Sequence, residues 1–172
     1  MRSDKDVNYD KLLGFLRILD SELKKKIILI AAGGTAMALL KLKPSTRDID
    51  FTLPKEDYEE FEKTLKKIPH GFKIDSWPDG YIFSQQLPAD YLDKSIPIEF
   101  NAKNIELRAL HPIDIIATKI GRLDERDIED IKECIKQHNL TKQEITNRSK
   151  QVEYLNEEIA DNNLKYVLSQ LF

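Results

Sequence analysis

Asp48 and Asp50 are the residues whose type and spacing speak most directly of chemistry. Two apart on an extended strand, they project from one face, roughly 6–7 Å from each other by strand rise. Carboxylates on one face repel unless a cation lies between them, and a hard divalent ion with oxygen ligands suits that gap. A solvated strand face also accounts for an isolated Asp-x-Asp. Asp is disfavoured within strands, however, so its doubling calls for a reason. Earlier in the chain stands Gly33-Gly34. Two glycines permit a tight turn and let main chain approach a ligand. A helix N-terminus beyond them would favour an anion, and the Thr35 hydroxyl would add a donor. Taken alone, Gly-Gly reads as a plain turn, lacking both the Lys-Ser/Thr ending of a P-loop and the spacing of a dinucleotide fingerprint. Taken together, the pieces would set an anion cradle beside a metal site, the geometry that a magnesium triphosphate requires.

The flanking elements must deliver that geometry. Tyr9, Leu12, Leu13, Leu16, Leu19 and Leu23 follow helical spacing, and the lysines 24–26 suit the carbonyl end of that helix. Residues 27–31 form a short apolar run rich in β-branched side chains, which predicts a strand buried on both faces. Gly33-Gly34 breaks it, residues 35–42 read as a helix, and Pro44-Ser45-Thr46 as a turn. From 48 to 53 the pattern alternates, with Ile49, Phe51 and Leu53 on one face and Asp48, Asp50 and Thr52 on the other, predicting a strand with one wet face. Pro54, Glu56 and Asp57 suit the opening of the next helix, with Tyr58, Phe61, Leu65 and Ile68 as its buried stripe.

Residues 72–77, 81–85, 96–100 and 105–109 then read as strands. Pro112 opens a helix to about Gly121, and Asp124 caps another carrying Ile128, Ile131 and Ile135. Thr141 to Glu144 has the form of a capping box. Ile145, Val152, Leu155 and Ile159 continue from it at helical spacing, Asn162-Asn163 reads as a break, and a last helix buries Leu164, Val167, Leu168 and Leu171. The expected fold class is α/β (α+β), with a mixed α/β core over residues 1–110. A helical C-terminal part over 111–172 is expected to pack on the same core, since no Pro/Gly/Ser-rich linker divides them.

Composition narrows the function classes. The chain has 172 residues, 41% hydrophobic and 33% charged, enough for one core with a polar surface. No run approaches the ~20 apolar residues of a membrane span. The charged opening Met1-Arg2-Ser3-Asp4-Lys5-Asp6 lacks an apolar signal region. A cytoplasmic location without membrane contact is the expectation. Cys134 is the single cysteine, so no internal disulfide forms, and it reads as a buried helical thiol. His70, His111 and His138 have no zinc-ligand spacing; His111, before Pro112, reads as a helix-opening residue. A formal net charge of -3 argues against a broad basic face for nucleic acid.

With these residues in place, a resemblance can be named. Ala32-Gly33-Gly34, thirteen residues, then Asp48-Ile49-Asp50-Phe51 resembles the signature of the nucleotidyltransferase (polymerase-beta-like) superfamily, with a spacer at the long end of its range. A weaker likeness runs through residues 105–110 and then Asp114, Lys119, Arg122, Arg126, Asp127 and Asp130. It is similar to a downstream motif of prokaryotic nucleotidyltransferase-like proteins, among them abortive-infection toxins of toxin–antitoxin systems. The resemblance implies a nucleotidyltransferase-like mixed sheet flanked by helices. It implies that Asp48 and Asp50 ligate magnesium (or manganese), that Gly33, Gly34 and Thr35 hold the terminal phosphates of a nucleoside triphosphate such as ATP, and that Lys119 reaches the triphosphate. The acceptor would be RNA (tRNA, for instance), a protein or a small molecule. A cognate protein partner is implied for a toxin–antitoxin member, and an inactive, partner-binding member of the fold is the alternative.

The family's third carboxylate is left open between two residues. Asp75, within residues 72–77, is the first choice and Glu99, within 96–100, the second; each also reads as an ordinary outward strand acid. Lys119 and Arg122 can share a helix face, and a solvated helix edge explains them equally well. Arg126 and Asp130 have the spacing of a surface ion pair, and Asp127 suits a helix N-terminus. Arg47 points to the strand face opposite the acids. Trp77 and Tyr81 flank a Pro-Asp-Gly turn and read as packing aromatics.

Overall fold

The computed structural model describes residues 6–172. Residues 1–5, which carry most of the charged opening read above as lacking a signal region, lie outside the described residues. The chain divides into two compact units: Met1–Asp79 with Ser95–Ala109, and Gly80–Lys94 with Leu110–Phe172. Segment 80–94 thus groups with the helical part.

In chain order the first unit holds β1 (Val7–Asn8), α1 (Tyr9–Glu22), β2 (Ile27–Ala31), α2 (Gly33–Leu39), β3 (Ser45–Thr46), β4 (Asp48–Leu53), α3 (Lys55–Leu65) and β5 (Lys73–Pro78). The second unit then takes β6 (Tyr81–Ile82), β7 (Gln85–Gln86) and α4 (Tyr91–Lys94), and β8 (Ile96–Pro97) and β9 (Ile105–Ala109) return to the first. One five-stranded mixed sheet runs β5-β4-β2-β9-β8, with β2 antiparallel to β4 and parallel to β9, and β4 parallel to β5. A two-stranded ribbon joins β1 to β3, the segment just before the acids.

The apolar face of β4 makes the core. Ile49, Phe51 and Leu53 are fully buried, and Phe51 meets Phe61 of α3 edge to face at 6.0 Å. Each such aromatic contributes about 1.5–3 kcal/mol through burial. The expected wet face is not wet: Asp50 is 4% exposed and Thr52 0%, and only Asp48 at the strand's start is open. The reason is position. β4 lies inside the sheet between β5 and β2 and packs against both α2 and α3. α1 is capped by Asn8, whose side chain accepts from the Lys11 amide. Lysines 24–26 follow its end rather than lying in its last turn, and Lys25 donates to the Glu56 carbonyl and pairs with Asp57. Asp57 also accepts from the Ile28 amide at 2.9 Å, tying α3 to β2.

The second unit is helical: α5 (Pro112–Ile120), α6 (Glu125–His138), α7 (Lys142–Gln151) and α8 (Glu157–Leu171). His111 caps α5 through Nδ1, and both capping boxes, Asp124 with Asp127 and Thr141 with Glu144, are present. Three sequence expectations fail here. Residues 81–85 form no single strand, because Phe83 and Ser84 adopt positive φ and turn the chain back into the β6–β7 ribbon. The run from Ile145 to Ile159 is no single helix either: α7 ends at Gln151, and Leu155 is 82% exposed. Asn162 and Asn163 do not break α8. The break is at Asn156, which caps it, while Asn163 donates to the Ile120 carbonyl, a tertiary bond that repays its weak helix propensity. No helix among the described residues is long and apolar enough to cross a membrane.

Candidate functional site

The site is built where β2 runs into α2 alongside β4. Ala31 pairs with Phe51, and the next amide, Ala32, donates to the Asp50 carbonyl at 2.9 Å. The following residue, Gly33, therefore passes over the Asp50 side chain. Its φ is +50°, and a Cβ built on it would lie 3.0 Å from Oδ2 of Asp50. A Cβ on Gly34 would lie 2.5 Å from Oγ1 of Thr46. Gly34 is thus needed for space, and Gly33 for its backbone conformation, with a Cβ there a tight fit against the Asp50 carboxylate. No side chain caps the start of α2.

The acids occupy graded environments along one strand face. Asp48 is exposed and Asp50 buried, and in the parallel register Asp48 faces Lys73 while Asp50 faces Asp75. Paired positions in register share a face, so Asp75, half-buried on β5, lies beside Asp50 on the same side of the sheet. Glu99 is exposed, lies beyond the end of β8, and belongs to the opposite edge of the sheet from β5. The topology brings the first choice for a third carboxylate to the site and leaves the second away from it.

Thr35 is fully buried and its hydroxyl is engaged twice, accepting from the Asp50 amide at 2.9 Å and donating to the Asp48 carbonyl at 3.2 Å. Thr46 donates to the same Asp48 carbonyl at 2.9 Å. Thr46 escaped the sequence reading, which took it as a turn residue. Its signal was a hydroxyl two positions before Asp48, close enough to bond that residue's main chain. Arg47, itself exposed, pairs with Asp6 at 3.5 Å.

Lys119 belongs to the second unit. It is 4% exposed, with its ammonium 2.9 Å from Asp127 and 3.1 Å from Asp130. It does not share a solvated edge with Arg122, whose guanidinium stacks on the Phe83 ring at 3.9 Å. Arg126 pairs loosely with Asp124 rather than with Asp130, and Asp127 closes the capping box of α6 while binding Lys119. Cys134 is buried and burial pushes its thiol up to about 12, so it is unreactive.

Among the described residues no group of three or more His, Cys, Asp or Glu is arranged to hold an ion unaided. What the first unit offers is two strand carboxylates, one open and one buried, and main chain closing over the buried one. That donor set fits magnesium as a companion of a phosphate ligand, because magnesium usually takes one or two carboxylates and completes its shell with water and substrate phosphates.

Comparison with known proteins finds a family match. No curated protein and no solved structure matches the chain. A family model does, over residues 11–169, a span that includes the glycine turn, the acidic strand and nearly all of the helical unit. The chain belongs to the DUF6036 family, nucleotidyltransferases of unknown function.

Proposed function

We propose that this chain moves a nucleoside monophosphate from a nucleoside triphosphate to an acceptor hydroxyl, with Asp48 and Asp50 holding magnesium or manganese. One juxtaposition carries the reading: the main chain of Gly33 closes on the buried carboxylate of Asp50, which stands in register with Asp75. The ion, when bound with substrate, offsets the charge of the triphosphate. Gly33 and Gly34 give main chain, with no side chain in the way, against which the terminal phosphates lie. Asp75 takes the proton of the acceptor hydroxyl as its oxygen bonds the α-phosphorus. The bond from that phosphorus to the bridging oxygen breaks, and pyrophosphate leaves with the electron pair. Positioning and charge stabilisation supply most of the rate gain. RNA, a protein side chain and a small molecule all offer the acceptor chemistry. Lys119 is assigned to the helical unit: a triphosphate would have to draw its ammonium away from Asp127 and Asp130.

The test is transfer of label from α-labelled nucleoside triphosphates to RNA, protein and small-molecule fractions of a cell extract. Asp48→Asn and Asp50→Asn are expected to lower labelling about a hundredfold or more. Asp75→Asn is expected to lower turnover at least about a hundredfold, and Glu99→Gln to leave it unchanged. Labelling that is the same in wild type and the Asp48 and Asp50 variants sinks the proposal. A folded wild type that makes no product with any nucleotide would instead leave a binding module of this fold acting through a protein partner. In a toxin role, growth arrest on expression would depend on the same acids.

A further inference from the structure

We infer that Thr35 and Thr46 are positioning residues that fix the two metal-holding acids, and that neither hydroxyl contacts phosphate. This rests on the reading of Asp48 and Asp50 as the ion's ligands. A threonine hydroxyl has one hydrogen to donate and two lone pairs, and a carbonyl oxygen has two lone pairs. Thr35 spends its hydrogen on the Asp48 carbonyl and a lone pair on the Asp50 amide. Thr46 spends its hydrogen on the same Asp48 carbonyl. Both lone pairs of that carbonyl are thereby filled, one from α2 and one from β3, and both donors are used. A phosphate oxygen could take either hydrogen only by releasing Asp48.

The clamp explains features that otherwise stand apart. Gly34 must lack a side chain because the Thr46 hydroxyl occupies the space where one would begin. The ribbon of β1 with β3 pairs Val7 with Thr46, so the start of the described chain braces a residue at the edge of the acidic strand. Thr35 reaches across from α2 to two successive same-face residues of β4, so the glycine turn and the acids move as one body. An open carboxylate such as Asp48 has no packing to hold it, and its peptide must be held instead. Small displacements of a reacting constellation cost large factors in rate, and hydroxyls whose only bonds are to the ligands' own main chain act on position alone.

Valine keeps the shape of threonine and removes the hydroxyl, while serine keeps the hydroxyl, so the four variants Thr35→Val, Thr35→Ser, Thr46→Val and Thr46→Ser separate shape from bonding. The readout is uptake of manganese by electron paramagnetic resonance, titrated with a non-hydrolysable triphosphate, alongside a thermal melt. Each valine variant is expected to melt cooperatively yet take up the ion with nucleotide about tenfold more weakly, and each serine variant to match wild type within about twofold. A folded valine variant with wild-type uptake, or a serine variant as weak as its valine counterpart, overturns the clamp. If Thr35→Val does not fold, the Thr46 pair decides by the same criteria. If wild type itself takes up no ion with any nucleotide, the nucleotidyltransferase reading fails and the clamp is judged separately, by hydrogen exchange of the Asp50 amide. That amide is expected to exchange faster in Thr35→Val than in wild type or Thr35→Ser, and equal rates in all three would overturn it.

Discussion

At the scale of single residues, Gly33 makes the sharpest demand. Its φ of +50° lies in the left-handed region, and its missing side chain leaves room for the Asp50 carboxylate. Alanine there faces about 1–2 kcal/mol of backbone strain and places a methyl group 3.0 Å from Oδ2. Gly33→Ala is expected to lower the melting temperature by a few degrees, at ~2–4 °C per kcal/mol for a chain of 172 residues. It is expected to weaken manganese-assisted nucleotide uptake by more than that loss of stability explains. Calorimetry with a folded variant checks it, and wild-type uptake would dissociate the turn from the site. The same residues show what sequence alone made legible. Gly33, Asp48 and Asp50 were readable because rare residues at odds with their surroundings stand out: glycines ending a β-branched run, and acids inside a strand. The choice between Asp75 and Glu99 was not readable, because it depends on which strand lies beside β4, a pairing between distant segments. The burial of Asp50 was hidden for the same reason, since alternation within β4 cannot report that the strand is covered on both sides.

At the scale of elements, the capping signals were faithful. Asp124, Thr141 and His111 each cap the helix that their type and spacing announce. Runs read by hydrophobic spacing alone fared worse: Leu155 and Ile159 continued a helical period yet are 82% and 50% exposed. The charged residues of the downstream stretch likewise needed three dimensions. Lys119, at the end of α5, bonds Asp127 and Asp130 of α6 and so joins two helices through a buried ion cluster. Removing one member of a buried pair leaves its partners desolvated without compensation, which costs about 3–5 kcal/mol. Lys119→Met is therefore expected to lower unfolding free energy in urea by that amount, with little change in nucleotide affinity for the fraction that remains folded. Unaltered stability together with lost uptake would return Lys119 to the phosphates.

At the scale of the whole molecule, the chain leaves the sheet-bearing unit after Asp79, returns at Ser95 and leaves again after Ala109. A division of the sequence at residue 110 follows composition, strands before and helices after, and it cuts across the second unit. Segment 80–94 carries Ile82, Leu87 and Tyr91, each no more than 5% exposed. Its partners come from far along the chain. Gln85 donates to the Thr118 carbonyl, Gln86 and Glu153 exchange main-chain bonds, and Asp90 accepts from Arg148, which also holds the buried Asp114. A fragment of residues 1–110 keeps this segment and discards all of those partners. Three apolar side chains would then sit on a ribbon and short helix stripped of those hydrogen bonds, and an isolated ribbon of this size is not stable in water. The fragment is expected to bind a hydrophobic dye and to aggregate at micromolar concentration. The same fragment with residues 80–94 replaced by a Gly/Ser linker of equal length is expected to bind distinctly less dye, since the linker has no apolar surface to expose. Equal dye binding by the two fragments would mean that the segment's apolar residues do not depend on the helical unit, and the division of the chain would have to be redrawn at the composition boundary.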